Sequence, residues 1–134
     1  MDSPPAVKVL AIASSVNCSM LEQKLSPLGI DLSCAQSAEE IAGFRRMERF
    51  FEVILLPERL SDHEWWSLWG ELCLLSPRPS ILVYARQPTF QLWTAVLDMG
   101  GYDVISEPFG EREIQTAVLK AAEDFRERSS AEPA

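Results

Sequence analysis

Apolar positions fall into two kinds of pattern along this chain. Val53-Ile54-Leu55-Leu56 is an unbroken apolar run, too short to cross a membrane. A run that does not alternate has both faces buried, as in an interior strand of a parallel sheet. Pro57 ends it, because proline brings no N–H to a sheet ladder. Val7 to Ala13, broken only by Lys8, predicts a first strand, and Ser80 to Tyr84 a fourth. Ile30 to Cys34 is shorter and partly alternating, which predicts an outer strand. Tyr102 to Ser106 predicts the fifth.

Between these runs the apolar spacing becomes helical. Ser14, Ser15 and Asn17 supply N-cap chemistry ahead of Cys18, Leu21, Leu25 and Leu28, and Gly29 closes that helix. Ser37-Ala38-Glu39-Glu40 is a capping box, followed by Ile41, Phe44 and Met47. Ser61-Asp62-His63-Glu64 is a second possible box before the stripe Trp65, Leu68, Trp69, Leu72. Pro88 fits the first turn of a helix through Phe90, Trp93, Val96 and Leu97, ended by Gly100 and Gly101. Ile114, Ala117, Val118, Ala121, Ala122 and Phe125 form the last stripe.

Five strands thus alternate with five helices, with no internal repeat and no second domain. The pattern predicts a doubly wound α/β domain: a parallel sheet, helices on both faces, right-handed crossovers. Residues 1–6 read as a flexible leader, 7–125 as the domain, and 126–134 as a polar tail or the start of a linker.

Charge and cysteine content narrow the function classes. A net charge of −8 argues against a nucleic-acid surface, which needs clustered Lys and Arg. Cys18, Cys34 and Cys73 are odd in number and widely spaced, which suggests neither a disulfide framework nor a zinc pattern. A reducing cytoplasm is the expected location. No stretch has the length of a membrane span or of a signal-peptide core.

Three segments then acquire a meaning together. Gly100-Gly101-Tyr102-Asp103-Val104-Ile105-Ser106-Glu107-Pro108-Phe109 resembles the Gly-Ala-Asp-Asp-Tyr-Leu-x-Lys-Pro-Phe ending of bacterial response regulator receiver domains. Glu52-Val53-Ile54-Leu55-Leu56 is similar to the Asp-Leu-Val-Leu-Leu that precedes their phosphorylated aspartate. Pro79-Ser80-Ile81-Leu82-Val83-Tyr84-Ala85 resembles their Pro-Val-Ile-Val-Leu-Thr-Ala. The resemblance covers residues 7 to 125 and implies the CheY-like, flavodoxin-like strand order 2-1-3-4-5.

The resemblance also implies a pocket, and every pocket position departs from the family's pattern. Receivers hold Mg²⁺ on an acidic pair and on the acceptor aspartate. They bind the phosphoryl group with a hydroxyl residue and a lysine. The acidic pair aligns here with Ala13 and Ser14, the acceptor with Pro57, the hydroxyl with Tyr84 and the lysine with Glu107. The aromatic switch residue of the fifth strand aligns with Val104. Mg²⁺ requires hard oxygen ligands, and phosphoryl transfer to the protein requires a nucleophile. The resemblance therefore implies a degenerate receiver: not an enzyme, with no cofactor and no Mg²⁺. It would act in two-component signalling by binding a protein partner or a second copy, without nucleic acid or membrane. The expected surface is the family's face of helix four, strand five and helix five, through Trp93, Tyr102 and Val104. Trp93 suits either an interface or plain packing.

Other candidates rank lower. Glu58 follows Pro57, but neighbours at a strand end point in different directions, so it reads as a solvated loop residue. His63 reads as a surface histidine at a helix start. Ser14 to Ser19 could bind a phosphate-bearing ligand in flavodoxin fashion, although the loop lacks the glycines that close a backbone around phosphate.

Overall fold

A computed structural model describes residues 6–58, 62–107 and 110–131. Five strands, β1 (Lys8–Ile12), β2 (Asp31–Ala35), β3 (Val53–Pro57), β4 (Ser80–Ala85) and β5 (Asp103–Ser106), form one sheet in the order β2-β1-β3-β4-β5. Every neighbouring pair is parallel. Helices α1 (Ser15–Leu25), α2 (Ala38–Arg46), α3 (Asp62–Cys73), α4 (Phe90–Asp98) and α5 (Glu111–Ala131) connect and flank the strands. This is the predicted doubly wound α/β fold.

The unbroken apolar runs are buried on both faces, as their lack of alternation requires. Val53 to Leu56 and Ile81 to Val83 have no exposed surface. One core layer packs Val9, Ala11, Val53, Leu55 and Leu82 under α1 and α5. The other packs Leu10, Ile54, Leu56, Ile81 and Val83 under α2, α3 and α4. Trp69 and Leu72 of α3 are buried there, and Trp65 stacks on Trp69 with ring centroids 5.1 Å apart. Trp66 lies off that stripe and is exposed.

Local chemistry sets the helix ends. Ser14 caps α1, its hydroxyl accepting from the Asn17 N–H at 3.3 Å. Ser37 does the same for the Glu40 N–H at 3.2 Å. At α4 the cap is Thr89, accepting from the Leu92 N–H at 3.0 Å, so Pro88 stands before the helix and not in its first turn. Pro27 interrupts α1, whose last stretch tightens into a 3₁₀ turn over Ser26–Leu28. Gly29 leaves that turn at φ +70°, a conformation that costs glycine little. Leu28 consequently swings out to solvent, as does Met47 at the α2 C-cap; neither joins the core stripe expected of it.

Two further expectations are corrected. Residues beyond Phe125 do not begin a tail, because α5 continues to Ala131. Its last turns are tied to the N-terminal edge of the sheet. Arg126 Nε meets Glu52 Oε2 at 2.7 Å and its Nη2 donates to Oε1 at 3.3 Å. Asp124 accepts from the Ser80 hydroxyl at 2.8 Å, and Arg128 donates to both Asp124 and Ser80 at 2.9 Å. Polar composition read as solvated tail, whereas Arg126 and Arg128 reach partners 74 and 48 residues away.

The second correction concerns the cysteines. Cys18 of α1 and Cys34 of β2 form a disulfide, with Cα atoms 6.4 Å apart. Their separation in sequence hid this, because only the β1–α1–β2 crossover lays the start of α1 over the end of β2. The inference from unpaired cysteines to a reducing compartment therefore does not rest on this pair. Cys73 is free and exposed. Among the described residues no helix is long and apolar enough to cross a membrane.

Candidate functional site

The carboxyl ends of β1, β3, β4 and β5 open into a cavity of about 350 Å³. It is lined by Ala13, Ser14, Pro57, Tyr84 and Glu107, together with Ile12, Asn17, Gln36 and Arg86. All five positions singled out in the sequence thus meet at one site, each at or just past a strand end. This is where ligand sites of open parallel sheets form. Gln36 and Arg86 were missed. Each lies one residue past a strand, β2 and β4, so the strand-end rule alone marks them.

Tyr84 dominates the cavity. Its strand, β4, lies two places from β1 with β3 between. The Tyr84 hydroxyl nevertheless donates to the Ile12 carbonyl of β1 at 2.8 Å. The ring therefore crosses the end of β3 over Pro57, its register partner on the neighbouring strand. Tyr84 is 7% exposed and packs with the core layer under α1 and α5. Burial, then the Glu107 charge, pushes its phenol well above the ordinary range.

The ring does not turn toward Val104. Val104 pairs with Val83 and packs into the opposite core layer, while Tyr84 pairs with Ile105. Tyr84 instead reaches across the end of β3 toward β1.

The charged groups among the described lining residues are Arg86 and Glu107. Ala13 and Pro57 offer no side-chain oxygen. No group of three or more His, Cys, Asp or Glu among the described residues could hold a metal ion. A Mg²⁺ ion of the kind the family uses does not fit this donor set. The Ser14 hydroxyl is engaged in capping α1, although Ser14 and Asn17 do reach the cavity rim. Glu58 is exposed and absent from the lining; its N–H donates to the Tyr84 carbonyl at 2.9 Å. Ser61, and the side chains of Asp62 and His63, lie outside the described residues, so the second capping box and the His63 reading do too.

The expected partner face divides in two. Trp93 is 42% exposed and its indole Nε1 donates to Asp103 Oδ1 at 3.2 Å, joining α4 to the start of β5. Phe90 lies beside it, 76% exposed with ring centroids 5.9 Å apart. Tyr102 is half-buried against the α1/α5 layer and Val104 against the other, so they do not extend the exposed aromatic pair. Of the helix positions Phe90, Trp93, Val96 and Leu97, only Val96 is buried. Gly101 makes the α4–β5 approach possible, since a Cβ there would collide with Val96. Next to β5, a groove of about 520 Å³ is lined by Asp103, Arg112, Glu113, Thr116 and Lys120.

No family model matches this chain, and no curated protein matches it. Solved structures do. The signal receiver domain of an HD domain-containing protein from Pseudomonas fluorescens Pf-5 superposes with a TM-score of 0.76 at 20% identity, covering 98% of this chain and 97% of that one. A CheY-like response regulator receiver domain protein from Methanospirillum hungatei JF-1 gives 0.74 at 18%, covering 92% and 99%. The receiver domain of a sensor histidine kinase from Pseudomonas aeruginosa PAO1, with magnesium coordinated in its active-site cleft, gives 0.69 at 20%, covering 89% and 99%. The strand order, the layering of the helices and these superpositions agree: the chain has the fold of response regulator receiver domains.

Proposed function

We propose that this chain is a receiver domain of two-component signalling that works without phosphoryl transfer. It has no catalytic role and presents its α4–β5–α5 face to a protein partner or to a second copy of itself. The observation that carries this reading is the Tyr84–Ile12 hydrogen bond over Pro57. Where a receiver would hold its acceptor carboxylate, Pro57 stands with the Tyr84 ring crossing the strand end above it, and both line the cavity that remains. Pro57 has no nucleophilic atom. Glu107 adds a negative charge where an incoming phosphoryl group would need a positive one. The binding face is supported by Phe90 and Trp93, large aromatics left in solvent, because Trp is enriched among residues that dominate interface energies.

The deciding experiment is exposure to a small phosphoryl donor with Mg²⁺, read by intact mass. The expected result is an unchanged mass. A gain of one phosphoryl group that disappears in Glu58→Gln would show a rescued acceptor and refute the reading.

A further inference from the structure

The Cys18–Cys34 bond sits on the rim of the same cavity. Cys18 closes the first turn of α1, directly after Asn17 and four residues after Ser14, both of which line the cavity. Cys34 is the penultimate residue of β2, two before Gln36 on the opposite lip. The bond therefore ties the β1–α1 segment to the β2–α2 segment. We infer that Cys18 and Cys34 form a reversible thiol–disulfide site, whose redox state sets the order of this rim.

Three features favour a responsive bond over an inert one. The first is access: Cys34 lies partly exposed on the edge strand β2 and is the less buried of the pair, since Cys18 is 7% exposed. Exchange rates depend on which sulfur can be reached. The second is leverage: α1 buries only Cys18, Leu21 and Leu25, and Cys18 is the one in its first turn. With the bond open, that turn keeps the Ser14 cap and little else to hold it on the sheet. The third is position: Ala13, which precedes the cap, meets β2 through its N–H to the Ala35 carbonyl at 3.2 Å, next to the bond. This contact ends the β1–β2 ladder, so beyond it the bond is what joins the start of α1 to β2.

The chemistry balances with ordinary cellular reagents. A dithiol reductant of the thioredoxin class attacks Cys34 Sγ as thiolate, and Cys18 leaves as thiolate and takes a proton. The second thiol of the reductant then attacks the mixed disulfide, giving two protein thiols and an oxidised reductant. In reverse, hydrogen peroxide oxidises the Cys34 thiolate to a sulfenic acid, and Cys18 displaces its oxygen as water. This inference stands apart from the phosphorylation reading, and either can fail without the other.

A Cys73→Ser chain removes the exposed third thiol, and its two remaining cysteines are followed by alkylation in denaturant and intact mass. After reduction, two alkyl groups are expected; after peroxide or oxidised glutathione, none. A thioredoxin-class dithiol should open the bond in the folded protein. Amide exchange should then quicken about tenfold or more at residues 13–19 and 34–38, with β3 and β4 unchanged. Cys34→Ser in the same background should show the faster exchange under both conditions. The inference is overturned by a pair that stays reduced under oxidant, by a bond that opens only after denaturation, or by exchange that is the same in both states.

Discussion

The Tyr84 hydroxyl on β4 donates to the Ile12 carbonyl on β1 at 2.8 Å, bridging the strand that lies between them. The bond anchors a ring that closes off the C-terminal edge of the sheet. It also keeps a buried carbonyl partnered that would otherwise have lost water without compensation.

Tyr84→Phe keeps the ring and removes the bond. Unfolding in denaturant should show a loss of about 1 kcal/mol. Tyr84→Ala opens a hole in the layer under α1 and should cost about 3–5 kcal/mol. Equal costs for the two would mean that the ring contributes nothing to packing.

Alkaline pH should act through the same residue. Burial and the Glu107 charge raise the Tyr84 phenol above its ordinary value of 10.0. Between the unfolded and folded pKa values the native state keeps a proton that the unfolded chain has released. Stability is therefore full below pH 10.0 and falls as pH rises above it. Tyr102, raised by burial and then by Asp124, adds in the same direction. In Tyr84→Phe the decline should be shallower, as read by stability at increasing pH. An unchanged slope would remove Tyr84 as its source.

Trp93→Ala tests the face. An interface tryptophan typically contributes about 2 kcal/mol or more, so a partner or self-complex should weaken about thirtyfold. Sedimentation of wild type and variant measures self-association directly. Trp66→Ala, on α3 and the more exposed of the two, serves as the comparison. A complex that tolerates Trp93→Ala and loses affinity with Trp66→Ala would move the interface to α3.

Ending the chain at Phe125 removes Arg126 from Glu52, which is 5% exposed and keeps the Lys8 N–H as a donor. Arg126 is itself about half exposed, so the loss is smaller than for a fully buried pair. About 1–3 kcal/mol is expected, the range for a hydrogen bond to a charged group left unmade. Glu52→Gln in the shortened chain should recover part of it. A shortened chain as stable as the full one would show that residues 126–131 are dispensable to the fold.

Reducing the Cys18–Cys34 bond should lower the unfolding midpoint. Closing a loop of this length restricts the unfolded chain by about 3 kcal/mol. Cys34→Ser should show the same midpoint with and without reductant.

The sequence by itself determined the layers of this protein. The short run Val53 to Leu56, stopped by Pro57, reads as a strand covered on both faces, and the stripe Ile114 to Phe125 as a helix with one buried side. The resemblance to receiver domains implied Ala13, Ser14, Pro57, Tyr84 and Glu107 as one pocket, and each lies at or just past a strand end. Tertiary structure decided whatever depends on direction and on distant partners. Periodicity assigns Phe90 and Trp93 to a helix, but only the docking of α4 decides that both face solvent. Composition makes Arg126 and Arg128 look like a tail, yet Glu52 and Asp124 hold them in α5. Residue spacing kept Cys18 and Cys34 apart, and a crossover brought them together. The same limit applied to Tyr84: its type and position were legible, but the reach of its hydroxyl to Ile12 depends on β3 ending at Pro57 between them. A side chain's partner is set by the folding of the whole sheet, and no local pattern encodes it.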